Sequence, residues 1–104
     1  MHPLMTSLKK WAYENKLHTT NKFDRSVKRC IRRNLPMDEL RKVISILLET
    51  GTLPNNYYPH KLKGKKGNIM WECHIQSDWL LIWEQYDKEL ILLMLDTGTH
   101  SDLF

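Results

Sequence analysis

The chain has 104 residues, the size of a single domain with a modest core. Hydrophobic residues make up 41% and charged residues 27%, which is ordinary for a soluble globular protein. The net charge of +4 favours an anionic partner, either nucleic acid or an acidic protein. No apolar run reaches the ~18 residues of a membrane span, and the start lacks a secretory hydrophobic segment. We therefore expect a cytoplasmic protein with no membrane contact.

The positive charge is concentrated near the start of the chain. Through Leu35 there are nine Lys or Arg and two acidic residues, whereas the remainder holds seven basic and ten acidic residues. A solvated helix face is the simpler interpretation of such a run. Cys30 and Cys73 fit no metal or redox spacing and are expected to be buried, reduced thiols.

The first half of the chain is predicted to be helical. Residues 4–12 have apolar positions at helical spacing, and residues 16–20 predict a short strand. Two amphipathic stripes then predict a helical hairpin over residues 21–50. Asn21 is the expected N-cap of the first helix, and Gly51 ends the second.

The second half changes to a period of two, which is typical of strands. Residues 51–67 look like a loop because Pro, Asn and Gly punctuate them. Strands are predicted from Asn68, over residues 79–83 and over residues 90–95, with residues 101–104 as a short strand or tail. The expected fold class is α+β, with an N-terminal helical hairpin packed on a small antiparallel β-sheet.

Three histidines and an aspartate are candidates for a shared site. His74 faces away from the core-facing residues of its strand, Asp78 follows the next turn, and His100 follows a glycine turn. His60 lies in the predicted loop. Imidazoles move protons near neutral pH, so their grouping on a basic protein favours acid/base chemistry on a phosphodiester. The alternatives are unrelated surface histidines or a tetrahedral zinc site, although no two of these residues have tight ligand spacing.

Aromatic residues have two interpretations. Trp79 and Trp83 alternate onto one strand face and are expected in the core. Tyr57, Tyr58 and Phe104 are expected to be exposed, where they stack on bases or pack a loop.

Three stretches together carry a specific resemblance: HKLKG at 60–64, ECHIQSDWLLIW at 72–83 and TGTHSDLF at 97–104. They resemble the YafQ branch of the RelE-like bacterial toxins, and the likeness covers about residues 16–104. Residues 1–15 would be an N-terminal extension outside this toxin domain. The resemblance implies a RelE-like fold and a type II toxin that enters the ribosomal A site and cuts mRNA there. It implies no metal and no other cofactor.

The resemblance also implies roles for particular residues. The acid/base set would be His60, His74, Asp78 and His100. Residues that shape the pocket or bind substrate would be Trp79 and Phe104, with Lys61, Lys63, Lys65 and Lys66 supplying positive charge. The implied partners are mRNA, the ribosome and a small, acidic, DNA-binding antitoxin that blocks the site.

Two positions depart from the family pattern. Trp71 and Asp96 stand where family members often carry Arg, which removes positive charge expected near a phosphate. We expect these residues to lower the cleavage rate, unless the lysines compensate. Two rivals stay open: a ParE-like toxin that inhibits DNA gyrase without cutting, and an inert nucleic-acid-binding remnant.

Overall fold

The computed structural model describes residues 17–63, 69–86 and 91–104. The predicted helix over 4–12 lies outside these ranges, as do Lys65 and Lys66. The elements, in chain order, are β1 (Leu17–Thr19), α1 (Asn21–Arg32), α2 (Met37–Thr50), a 3₁₀ turn (Asn55–Tyr57), β2 (His60–Lys63), β3 (Ile69–Gln76), β4 (Trp79–Tyr86), β5 (Ile91–Gly98) and α3 (His100–Leu103).

The five strands form one sheet in the order β1-β5-β4-β3-β2. Strands β2 to β5 pair antiparallel, which confirms the prediction for β3, β4 and β5. The sheet as a whole is mixed, because β1 pairs parallel with β5, Leu17 opposite Leu92. A parallel pair needs a long connection between its strands. Most of the chain, including the helical hairpin, provides that connection.

The hairpin of α1 and α2 is confirmed, with one correction at its start. Thr20, rather than Asn21, is the N-cap: its Oγ1 accepts a hydrogen bond from the backbone N–H of Phe23 at 3.0 Å. Gly51 ends α2 in the left-handed conformation (φ 75°), which a glycine adopts without strain.

The core lies between the helical hairpin and the sheet. Apolar stripes of both helices meet the side chains of β3, β4 and β5 that point toward them, and burying this area supplies most of the folding free energy. Fully buried members include Phe23, Val27, Cys30, Leu40, Val43, Ile44, Cys73, Leu81 and Met94. The helices among residues 17–63, 69–86 and 91–104 include none long and apolar enough to cross a membrane.

Two segments differ from the sequence-based expectation. Residues 51–67 are not a continuous loop, because His60–Lys63 form β2 and pair with β3. Only one of its four residues, Leu62, is apolar, and such an edge strand is specified by backbone pairing more than by pattern. The expected C-terminal strand or tail is the short helix α3, which begins at a capping box formed by Thr99 and Asp102.

Candidate active site

Asp78 and His100 make a direct contact at one end of the sheet. Asp78 lies in the turn between β3 and β4, and His100 is the first residue of α3. The ring Nδ1 of His100 is 3.1 Å from Oδ1 of Asp78, and the backbone N–H of His100 donates to the same oxygen at 3.3 Å. These hydrogen bonds from the His100 side chain and backbone lower the pKa of Asp78. The ionised carboxylate therefore orients the imidazole through Nδ1 and leaves Nε2 for another partner.

His74, on β3, adds a second imidazole beside the first. Its Nδ1 is 3.1 Å from the backbone oxygen of Ser77. Since a carbonyl oxygen can only accept, Nδ1 carries the hydrogen and Nε2 of the neutral ring presents a lone pair. The ring centroids of His74 and His100 lie 6.2 Å apart. Two imidazoles at this separation can serve two oxygens of one phosphodiester group, one taking a proton and the other giving one.

His60 is held by a different partner. It stands opposite Glu72 across β2 and β3, with its Nε2 3.0 Å from Oε1 of Glu72. Its Nδ1 is 3.0 Å from the backbone oxygen of Tyr58. Both contacts are with acceptors, so they form only if the ring carries two protons or the Glu72 carboxyl carries one. A doubly protonated ring would satisfy both contacts at once, whereas a neutral ring satisfies one of them.

A groove of about 410 Å³ runs between His60 and His74. This volume falls within the range of small-ligand sites, so a nucleotide-sized group fits. Its walls come from the 3₁₀ turn, from β2 and from the end of β3 with the turn that follows. The lining residues are Asn56, Tyr58, His60, His74, Ile75, Gln76 and Ser77.

Exposed aromatic rings flank the two neighbouring imidazoles. Tyr58 meets His74 edge-on at 5.8 Å, and Phe104 lies 6.0 Å from His100. Tyr58 is 69% exposed and Phe104 is 73% exposed, so both rings have free surface on which a base can stack. The expected exposure is therefore confirmed for these two residues, whereas Tyr57 is buried.

Trp79 occupies the core beneath the site. Trp79 is 3% exposed and Trp83 is buried too, so both belong to the core, as expected. The indole N–H of Trp79 donates to Thr97 Oγ1 at 2.9 Å, and the Thr97 hydroxyl donates to the backbone oxygen of Leu80 at 2.7 Å. Its contribution to the pocket is therefore to fix β4 against β5, the two strands that lead to Asp78 and His100.

Lys61 is the one of the four candidate lysines whose side chain the structure describes, and it does not point toward the histidines. The ammonium of Lys61 lies 5.5 Å from the ring centroid of Trp71, its cross-strand partner. Since neighbouring residues of a strand point to opposite faces, Lys61 points away from the face of His60. Lys63 belongs to β2, but its side chain lies outside the described residues, as do Lys65 and Lys66.

The Asp96 side chain, expected near a bound phosphate from the family pattern, points into the interior of the protein. Asp96 is 5% exposed and is directed at the start of α1. Its Oδ1 accepts hydrogen bonds from the Ser26 hydroxyl and from the backbone N–H of Thr97, and its Oδ2 lies 3.4 Å from the Lys22 ammonium. Asp96 therefore fastens β5 to α1. Trp71 stacks on Trp83 at 6.2 Å, away from the histidine groove.

The cysteines are buried free thiols, as expected. Burial raises the pKa of Cys30, and burial together with the Glu72 charge raises the pKa of Cys73 to about 12. Neither sulfur is suited to act as a nucleophile. Within residues 17–63, 69–86 and 91–104, His, Cys, Asp and Glu form no group of three that could hold a metal ion. The zinc interpretation therefore has no preformed ligand cluster there.

Solved structures that share this architecture include bacterial toxins. The chain aligns with the toxin in the crystal structure of the E. coli DinJ–YafQ complex at 27% identity and a TM-score of 0.77, covering 86% of this chain and 98% of that one. It aligns with a metal-bound toxin from Helicobacter pylori at 31% identity and a TM-score of 0.76, with the same coverage.

Sequence comparison narrows the class to one family. The mRNA interferase toxin YafQ of E. coli K12 is 31% identical over 86 residues, which span 82% of this chain and 90% of that protein. The family described as the bacterial toxin of type II toxin–antitoxin systems, YafQ, matches residues 15–104. The chain belongs to this YafQ toxin family.

Proposed function

We propose that this protein is a ribosome-dependent endoribonuclease that blocks translation by cutting mRNA in the A site. The observation that carries the proposal is the pair of imidazoles 6.2 Å apart, each with Nδ1 held by an acceptor and Nε2 left for proton transfer. The proposal also draws on family membership, since relatives are named mRNA interferase toxins. A site on the ribosome would make the protein cytoplasmic.

The reaction would use the ribose 2′-hydroxyl as nucleophile. Neutral His74 takes the 2′-hydroxyl proton on Nε2, and the oxygen attacks the adjacent phosphorus. The bond from phosphorus to the 5′-oxygen breaks, and protonated His100 gives its Nε2 proton to that leaving oxygen. The Asp78 carboxylate at Nδ1 stabilises the imidazolium of His100 before the transfer. The products are a 2′,3′-cyclic phosphate and a 5′-hydroxyl.

The remaining site residues would hold substrate rather than exchange its protons. A cationic His60 would face the negative phosphate, with Glu72 keeping its ring in place. Tyr58 and Phe104 would stack on the bases that flank the cut. No resident metal or organic cofactor takes part in this scheme.

Partner binding would use the basic face of α1. Lys22, Arg25, Lys28 and Arg32 have exposed side chains on this one helix. Such a surface suits ribosomal RNA phosphates, and it equally suits a small acidic antitoxin that also binds DNA. The structures of E. coli DinJ–YafQ toxin–antitoxin complexes support an antitoxin as a partner.

A single substrate change tests the chemistry. Primer extension on programmed ribosomes should reveal a cut with an all-ribose mRNA and no cut when the A-site nucleotide 5′ to the scissile bond is 2′-deoxy. Free mRNA should stay intact. Equal cutting of the deoxy substrate would rule out attack by the 2′-hydroxyl.

The same preparation addresses the rival functions. Inhibited gyrase together with intact ribosome-bound mRNA would favour the ParE-like alternative. A zinc-selective chelator should leave cleavage unchanged. If it stopped cleavage and added zinc restored it, a metal-assisted reaction would replace the proposed one.

A further inference from the structure

We propose that the ion pair between Arg33 and Asp102 is a positioning device that fixes His100 for catalysis. Arg33 directly follows α1, and Asp102 lies in α3 two residues after His100. The proposal rests on the proposed function, because it gives Arg33 and Asp102 the role of positioning His100, the proton donor of that reaction. Neither residue touches the groove, so both act through His100.

The need for such a device follows from the size of α3. The helix has four residues, and an isolated helix of that length is unstable in water. None of its side chains is buried in the core. Polar contacts must therefore hold α3, and with it His100 and Phe104, against the rest of the protein.

Asp102 supplies those contacts on the side of α1. Its Oδ2 and Oδ1 accept hydrogen bonds from the two terminal nitrogens of Arg33 at 2.7 and 3.3 Å, in a two-pronged arrangement. Its Oδ2 also accepts from the backbone N–H of Thr99 at 3.0 Å, and Arg29 lies 3.8 Å away. The Asp102 side chain is only 12% exposed. The Arg33 hydrogen bond is the main reason that the pKa of Asp102 is lowered.

The backbone next to α3 makes room for the same carboxylate. Gly98 has a φ of +155°, and a Cβ at this position would lie 2.9 Å from Asp102 and 3.0 Å from Arg29. The approach is possible because glycine has no side chain. Asp102 on one side and Asp78 on the other therefore anchor α3, and together they define where the His100 ring sits.

The experiment is single-turnover cleavage on programmed ribosomes by Arg33→Ala, Asp102→Ala and the double variant. Each single change should lower the rate at saturating ribosomes by about tenfold to a hundredfold, because a small misplacement of a catalytic group has that effect. The double variant should be no slower than Asp102→Ala, since Arg33→Ala removes a contact that Asp102→Ala has already removed. The ribosome concentration at half-maximal rate should change much less.

Two further variants separate geometry from charge. Arg33→Lys keeps the charge but cannot form the two-pronged contact, so it should resemble Arg33→Ala. Arg41→Ala is the matched control, because it breaks an Arg–Asp pair with Asp38 on α2, at 3.5 Å, that is unconnected to α3. It should cleave at the parent rate.

Nuclear magnetic resonance of the imidazoles tests the same idea without catalysis. Arg33→Ala should change the His100 ring signals and weaken its contact with Phe104, while thermal unfolding shows that the variant stays folded at the assay temperature. Parent-like cleavage and unchanged His100 signals in both single variants would overturn the proposal. If the parent itself cut no mRNA, the proposed function would be wrong. The His100 signals would still decide whether the Arg33–Asp102 ion pair positions this ring.

Discussion

His60 and Glu72 face each other across the edge of the sheet, with 3.0 Å between Nε2 and Oε1. Glu72 is 5% exposed, and its second oxygen has no hydrogen-bond partner among the residues that the structure describes. The other ring nitrogen of His60 faces the backbone oxygen of Tyr58. Both ring contacts can be hydrogen bonds at once only if the pair carries an extra proton, which gives His60 a positive charge whenever that proton is on the ring.

Glu72→Gln should remove that positive charge. The amide N–H₂ can donate to a neutral Nε2, so the ring no longer needs a second proton. If a cationic His60 assists the reaction, single-turnover cleavage should fall by about tenfold or more. Imidazole nitrogen shifts of His60 should move to those of a singly protonated ring. Glu49→Gln, at an exposed position of α2, is the control and should behave as the parent in both measurements.

Stability should depend on pH through two carboxylates. Hydrogen bonds from His100 lower the pKa of Asp78, and hydrogen bonds from Arg33 lower that of Asp102 below its ordinary value of 3.8. The folded state then binds fewer protons than the unfolded state in this range, so stability rises with pH there. The stabilisation is complete above about pH 4 and is lost as the pH falls toward the lowered values.

Urea unfolding between about pH 2 and pH 5 measures this effect. The free energy of unfolding should decline as the pH falls, and the decline should be shallower in Asp102→Asn than in the parent. Asp38→Asn, which changes a 91% exposed carboxylate on α2, should follow the parent curve. Parallel curves for the parent and Asp102→Asn would contradict the assignment.

The sequence pattern was sufficient for the long elements. The helical stripes of α1 and α2 and the alternation in β3 have strong periods, so their type was predicted correctly. The edge strand β2 and the helix α3 were missed because four residues are too few to establish a period. Thr99 and Asp102, a Thr-x-x-Asp pair, form a capping-box signal that could have located α3.

The candidate site was only partly predictable for the same reason. The motifs identified His60, His74, Asp78 and His100, but their partners depend on how strands align. Glu72 meets His60 only because β2 exists and pairs in that register, and neither fact follows from periodicity. Likewise, the family pattern suggested that residue 96 lies near a phosphate, whereas the direction of the Asp96 side chain depends on packing between β5 and α1.

Thiol chemistry should have no part in cleavage. Both cysteines are buried, and the pKa of Cys73 is raised to about 12, so almost none of it is thiolate near neutral pH. Iodoacetamide should leave the folded protein unmodified and its cleavage rate unchanged, whereas the protein in urea should react twice. Cys73→Ala should lower the free energy of unfolding by about 1–2 kcal/mol without loss of saturating activity. Rapid alkylation of the folded protein with loss of cleavage would contradict this.

Asp96→Arg should damage the fold rather than raise the cleavage rate. Substitution removes the acceptor of Ser26 and of the Thr97 backbone N–H, and it puts a second cation beside Lys22. Leaving buried donors without an acceptor costs about 1–3 kcal/mol, and an unpaired buried charge adds to that. Asp96→Asn, which keeps one acceptor oxygen, should lose less stability.

The order of stability should therefore be parent, then Asp96→Asn, then Asp96→Arg, measured by urea unfolding. The cleavage rate per folded molecule should not increase in either variant, because the carboxylate points at α1 and not into the groove. Lys22→Ala is the control for the ion pair: the Lys22 side chain is 69% exposed, so its loss should cost little stability. A faster, fully folded Asp96→Arg enzyme would show that residue 96 faces the phosphate after all, and would restore the interpretation that the family pattern suggested.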